Sequence, residues 1–439
     1  MKKSLLTFFA ALFISSLVVA QIRPYDKKGL NVFESPKVDT TIFTGVKVKI
    51  GGAFTQSWQN LKHSNTAVPV IVAGVDQTKL VLLNPGFNTA NANLYFDVQL
   101  EDGVYLNLTT YLSARHHNET WVKGGYIQFD KLPFLHSAFF DNLMKYATLK
   151  VGHMEINYGD AHFRRSDNGN SIYNPFVENN IMDEFATEIG AEVDVQSHGL
   201  IAVGAITNGE IKGDVIKGTP FVGGSNGKHN PAFIGKIGFD KQLGDNIRLR
   251  VTGSGYYTAG SISNTLFGGD RSGSHYYYVM EKANTTAEAF SGRFNPGFTD
   301  KISALMGNVF LKVGGLEWFT TLETSKGRAK AATSDRKASQ FASDLVYRFG
   351  GTENFWVGAR YNTVKATILN IPPVTTPATP ASLYDVKLDR IAVSGGWFVT
   401  KNIMAKAEYV RQNYNDYQPN NILNGGKFNG IVIEAIVGF

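Results

Sequence analysis

The chain has no cysteine in 439 residues. A disulfide framework, a cysteine-ligated metal site and lipoprotein attachment through a cysteine are therefore excluded. Beyond the N-terminus no stretch approaches 18 unbroken apolar residues, so there is no transmembrane helix. No block of five or more Lys/Arg occurs, and the net charge of +6 is spread over the whole length. Nucleic-acid binding has no support in such a distribution. Walker A, GxSxG and HExxH patterns are also missing, which removes the commonest phosphate-loop, hydrolase and zinc-protease readings.

What is present begins with a leader. Lys2 and Lys3 precede an apolar run from Leu5 to Val19, and Val18 and Ala20 form a small-residue cleavage site before Gln21. This reads as a signal peptide over residues 1–20. Its removal takes away two lysines and no acid, lowering the formal charge from +6 to +4. Residues 21–42 then read as an extended periplasmic lead-in containing Pro24 and Pro36.

From residue 43 to Phe439 the chain repeats runs of about ten residues in which apolar and polar side chains alternate. Leu94, Phe96, Val98 and Leu100 interleave with Tyr95, Asp97 and Gln99; Ile431, Ile433, Ala435, Val437 and Phe439 form one face of the last run. Asp102 and Gly103, His198 and Gly199, and Gly314 and Gly315 supply tight turns. About sixteen such runs can be counted, with turns of two to four residues alternating with loops of seven to forty-odd. The expected fold is all-β, a transmembrane antiparallel β-barrel with short periplasmic turns and long extracellular loops. Closure is required because an open edge in lipid leaves a row of backbone groups unpaired. Tyr257, Trp318, Tyr347, Phe349, Phe355, Tyr361, Trp397 and Tyr409 fall near strand ends, as interfacial girdles do. The connection from Lys131 to Lys145 is long for the short-turn side, and Leu135 to Tyr146 within it reads as a short helix.

One loop stands out. YGDAHFRRSDNGNSIYNPFVENNIMDE, Tyr158 to Glu184, lies between the fifth and sixth strands. A long polar loop at this place is expected to fold inward, at about residues 157–184, with a break at Asn174 and Pro175 before a short helical piece around Val177 to Asp183. The leader, the sixteen-run alternation, the terminal aromatic of GIVIEAIVGF and the segment NYGDAHFRRSDNGNSIYNPF resemble the outer-membrane porins of the Bacteroidetes. These are similar in turn to the broader phosphate-selective porin group.

The resemblance implies passive diffusion of small hydrophilic solutes and ions across a Gram-negative outer membrane, often through a homotrimer, without enzymatic activity or cofactor. It implies outer-membrane lipid as surroundings and recognition of Phe439 by the barrel assembly machinery. Anions such as phosphate are the solutes favoured in the related group, although no lysine cluster of the phosphate-binding kind can be matched onto these loops.

The constriction is expected to carry Asp160, His162, Arg164, Arg165, Asp167, Glu178, Asp183 and Glu184. Inward phase places Lys47, Lys49, Lys150, Lys236, Arg248, Arg250, Arg348, Arg360 and Arg390 on the lining, with Glu188, Glu192 and Asp194 concentrated on strand six. The near balance of sign predicts weak charge selectivity, since steep filters use rings of one sign. Glu178, Asp183 and Glu184 are expected to face the arginines of strands nine to fourteen across a transverse field. Arg164 and Arg165 admit a second role, pairing with carboxylates to hold the loop against the wall. His162 reads as a hydrogen-bonded structural residue, and His116 with His117 makes a poor metal site without a third ligand. Tyr276, Tyr277 and Tyr278 could stack on a sugar or begin a loop hairpin.

Two other classes compete. A barrel enzyme needs a Ser/His/Asn or acid cluster at one membrane level, and no histidine pairs with serine across neighbouring strands here. An adhesin or scaffold would use the long extracellular loops and have a plugged lumen.

Overall fold

The computed structural model describes residues 23–37, 43–113, 120–211, 215, 229–270, 272–283, 285, 291–370 and 382–439. The leader over residues 1–20, and His116 and His117, lie outside the described residues. Sixteen strands form one closed antiparallel sheet. In chain order they are β1 Lys47–Ser64, β2 Asn91–Glu101, β3 Val104–Ser113, β4 Thr120–Phe129, β5 Ala147–Glu155, β6 Thr187–Ser197, β7 Leu200–Thr207 and β8 Ala232–Gly244. The second half comprises β9 Ile247–Thr258, β10 Lys301–Val313, β11 Leu316–Arg328, β12 Arg336–Phe349, β13 Phe355–Asn370, β14 Ser382–Phe398, β15 Ile403–Asn415 and β16 Lys427–Gly438.

Each strand pairs with its sequence neighbour, and β16 returns to β1 with Ala53 opposite Gly438 and Ser64 opposite Lys427. The terminal Phe439 completes the seam: its amide donates to Gly52 O at 3.0 Å and its carbonyl accepts from Gly52 N at 2.9 Å. Tight turns join the strands at one rim, where His198 (φ 52°) and Gly199 (φ 91°) take the left-handed conformations a two-residue hairpin needs. Long connections leave from the other rim.

The period of two gives the wall two faces. Ile237, Leu305, Leu322, Ile391, Ile431 and Ile433 stand exposed on the outside, together with all eight girdle aromatics expected from the sequence. Phe355 and Trp397 on paired strands stack at 5.6 Å. This apolar outer band suits lipid, and neighbouring strands pair with one another around the whole sheet. The connection between β4 and β5 holds a helix, Ala138–Leu143, after a 3-10 turn at Pro133–Leu135. Phe134, Leu135, Phe139 and Leu143 are exposed there.

The inside is not a uniform polar lumen. Towards the long-loop rim, inward positions of β10 and β13–β16 carry Ile302, Ala304, Val364, Val386, Leu388, Val410 and Phe428, packed with Leu266, Phe267, Tyr276, Val279 and Phe294 of the β9–β10 connection. That loop therefore folds into the barrel over a dry core. Within the segment expected as a lead-in, residues 23–37 run along the lumenal side chains at the short-turn rim, with Phe33 against Phe310 and Tyr25 stacked on Tyr95 at 3.8 Å.

Candidate functional site

The loop after β5 lies inside the barrel, and its residues from Tyr158 to Glu184 are buried apart from a few partly covered ones near its start. It has almost no regular structure. The helical piece expected around Val177 to Asp183 is absent, and 3-10 turns form instead at Ala161–Arg164 and Ser171–Tyr173. The reason is where its backbone bonds go. The amide of Val177 donates to Glu408 at 2.8 Å, that of Ile181 to Asn362 at 2.6 Å and that of Met182 to Gln340 at 2.9 Å. Wall side chains have taken the place of intrahelical carbonyls. A buried irregular segment needs such partners, because each unpaired backbone group costs about 1–3 kcal/mol.

The loop carbonyls are served by the cations of the far wall. Arg360 donates to Glu178 O at 2.8 Å, Arg390 to Asn179 O at 2.7 Å, and Lys406 to Phe176 O at 2.7 Å. The remaining bonds of these groups stay inside the protein: Arg360 grips Asp344 in two bonds of 2.6 and 2.7 Å, and Arg390 reaches Gln412 and Gly292 O. Arg348 donates to Glu317 at 2.8 Å.

The transverse field expected from sequence is thus not built as drawn. Glu178 pairs with Arg293 of the β9–β10 connection at 2.7 Å, and accepts at 2.6 Å from both Ser274 Oγ and the His275 amide. Burial would raise its carboxyl, but Arg293, His275 and Arg390 bring it down to about 2. Asp183 pairs with Arg165 and Arg293. Glu184 accepts from Gln340 at 2.8 Å, and burial together with Glu323 raises its carboxyl.

Arg164 and Arg165 point to different places. Arg165 closes the loop on itself through two bonds to Asp183 at 3.1 and 2.6 Å. Arg164 pins the loop to the wall, 3.4 Å from Glu317 and between the rings of Phe310 and Phe319. Asp160 accepts from Arg250 twice at 2.8 Å, from Lys236 at 2.9 Å and from Thr252 at 2.6 Å. Despite burial, those two cations hold its carboxyl well below the usual carboxylate range.

The lining residues all have inward positions. Lys47 and Lys49 are partly covered, and Lys49 lies 5.3 Å from the Tyr25 ring. Lys150 sits 2.8 Å from both Glu192 and Asp194. Glu188 accepts from Thr207 and Tyr256, and Arg248 pairs with Asp240 at 2.7 Å.

Beside the loop the larger open space lies on the β2–β6 side, and two further spaces, of about 410 and 600 Å³, lie at the short-turn rim. A cavity of about 230 Å³ lies between the loop and β2–β6, bordered by Lys123, Lys150, Glu155, His162, Asp167 and Glu192. His162 bridges Asn157 and Glu155, at 3.1 and 3.3 Å, and burial lowers its imidazole. Asp167 pairs with Lys123, which also approaches Asp270 at 3.6 Å.

Sequence phase missed Lys123, and the wall shows why. Across β3 and β4, Thr109 opposes Gly124 and Thr110 opposes Val122, so Lys123 is the extra residue of a β-bulge. A bulge re-aims its side chain and breaks the period of two. Glu34, Arg23 and Arg293 were missed for a different reason, since they lie on segments without any period.

Neither a family model nor a curated protein sequence matches the chain. Solved structures do. An anion-selective porin from Comamonas acidovorans aligns with TM-score 0.53 at 9% identity, over 90% of this chain and 100% of that one. An outer membrane protein of Vibrio cholerae, OmpT, gives 0.49 at 8% identity, covering 90% and 98%. The outer membrane channel DcaP of Acinetobacter baumannii gives 0.48 at 11% identity, over 90% and 98%. At these identities the likeness is one of fold, and the first of them carries it: the chain folds as a sixteen-stranded barrel of the outer-membrane porin type.

Proposed function

We propose that the protein is an outer-membrane porin through which small hydrophilic solutes and ions diffuse passively, along the path between the inward loop and β2–β6. The observation that carries this is the cavity on that side, lined by charged groups and left open beside the loop while the long-loop side of the interior is packed. Its walls bear cations from Arg23, Lys123 and Lys150 and carboxylates from Glu34, Glu155, Asp167 and Glu192. Both signs are present in near balance and largely paired, so charge selectivity is weak. Among the described residues no ring of one sign supports a steep preference for anions such as phosphate. The short-turn rim faces the periplasm in this reading, as porin topology requires.

The adhesin reading is less well supported. The described part of the longest connection, between β9 and β10, is spent on filling the lumen. Single-channel recording in a planar bilayer under a salt gradient tests the proposal. Steady ohmic steps with a small reversal potential are expected, and inserted protein that passes no current would overturn it.

A further inference from the structure

Residues 23–37 make contact after contact around the inside of the short-turn rim. Tyr25 donates to Asp97 of β2 at 3.0 Å. The Lys27 amide reaches Lys401 O in the β14–β15 turn at 2.8 Å. Asn31 donates to Glu317 of β11 at 2.6 Å and accepts from Arg248 of β9 at 3.0 Å. Glu34 accepts from Arg250 of β9 at 2.7 and 2.9 Å and from Lys236 of β8 at 3.3 Å. Gln196 of β6 donates to Ser35 O at 2.8 Å, and Lys37 ends 3.1 Å from Asp130, just beyond β4. Fifteen residues thus visit the wall in descending strand order and trace most of its circumference.

This collar also separates two spaces. Glu34 borders both the inner cavity of about 230 Å³ and a vestibule of about 410 Å³ at the short-turn rim. We propose that residues 23–37 form a second constriction of the pore, with Glu34 as the residue that sets its charge; the proposal rests on the diffusion-pore reading above. A solute leaving the inner cavity towards the short turns passes the group of Glu34, Asp160, Arg250 and Lys236. With Glu34 ionised the two cations are matched by Glu34 and Asp160, and Asp240, which pairs with Arg248, also lies 3.2 Å from Arg250. Without it, Arg250 and Lys236 lie just beneath the wall of the path with one carboxylate fewer, and small anions gain.

The test compares wild type, Glu34→Gln and a chain lacking residues 23–37, each first shown to be a folded barrel by its faster gel mobility before heating. Glu34→Gln keeps the shape of the side chain and leaves Arg250 its bonds to Asp160, so this variant is expected to fold. In potassium chloride, Glu34→Gln is expected to move the reversal potential towards anions, and the deletion to raise conductance about twofold or more. If wild type conducts and both folded variants match it in conductance and reversal potential, the collar proposal is overturned and the pore reading stands. A silent wild type with conducting variants would support the collar and overturn the open-pore reading. Silence from all three would overturn both.

Discussion

Along β10–β15 the inward Arg348, Arg360, Arg390 and Lys406 end on carboxylates, amides and loop carbonyls, and none of them borders the cavity beside β2–β6. Along β4 and β5, Lys123 and Lys150 also have carboxylate partners, yet they border the cavity. The same residue types do different work. On the packed side a cation is a backbone partner for an irregular loop, and its charge is hidden from a passing solute. On the open side it borders the cavity, where its field would reach a solute of the proposed pore. Counting lumenal charges therefore overstates the filter unless each is assigned to a loop or to the path.

Breaking the packed side gives the largest expected effect. Glu317→Ala leaves Arg164, Arg348 and Lys312 without their shared carboxylate. A cost of about 3–5 kcal/mol is expected for stranding buried charge, read as a lower temperature for loss of the folded gel band. Arg390→Ala strands the carbonyl of Asn179 and the side-chain oxygen of Gln412, while Gly292 O keeps its bond from Gln412 Nε2, and should cost about 1–3 kcal/mol. It should also add open-channel noise as the loop loosens.

Acid provides a milder probe. Burial raises the Glu34 carboxyl, but Lys236 and Arg250 bring it down to about 2, from an ordinary 4.5. A carboxyl depressed in the folded state stabilises fully above its ordinary value and loses that contribution as pH falls through the folded one. The difference in thermal stability between wild type and Glu34→Gln should stay constant from neutral pH to about 4.5 and fade towards pH 2. A difference that fades near neutral pH would show that the collar is not held by this pair.

The open side should respond least in stability and most in selectivity. Lys150→Gln removes the cation facing Glu192 and Asp194, so the reversal potential is expected to move towards cations. Its thermal cost should be smaller than that of Glu317→Ala, because Lys150 is itself partly exposed and glutamine can still donate to one of the two carboxylates, whereas Glu317 serves three cations.

Much of this architecture was legible in the residues. The alternation of Leu94, Phe96 and Val98 with Tyr95, Asp97 and Gln99 placed strand faces correctly, and the loop from Tyr158 to Glu184 was picked out by its length and polarity. The dry core was also written there, in Val364, Val386, Leu388, Val410 and Phe428 at inward positions. A polar-lumen expectation passed over them. The helical piece after Asn174 was misjudged because local propensity cannot weigh Glu408, Asn362 and Gln340, which come from strands more than 150 residues away.

By itself, the sequence determined the barrel. Strand faces, tight turns and closure follow from a local period of two and from the need to pair every backbone group in lipid. Only the tertiary structure decided what occupies the inside. Arg164 with Glu317, Glu178 with Arg293 and Glu34 with Arg250 are contacts between residues distant in the chain, and those contacts determine which charges are spent on packing and which still face the path.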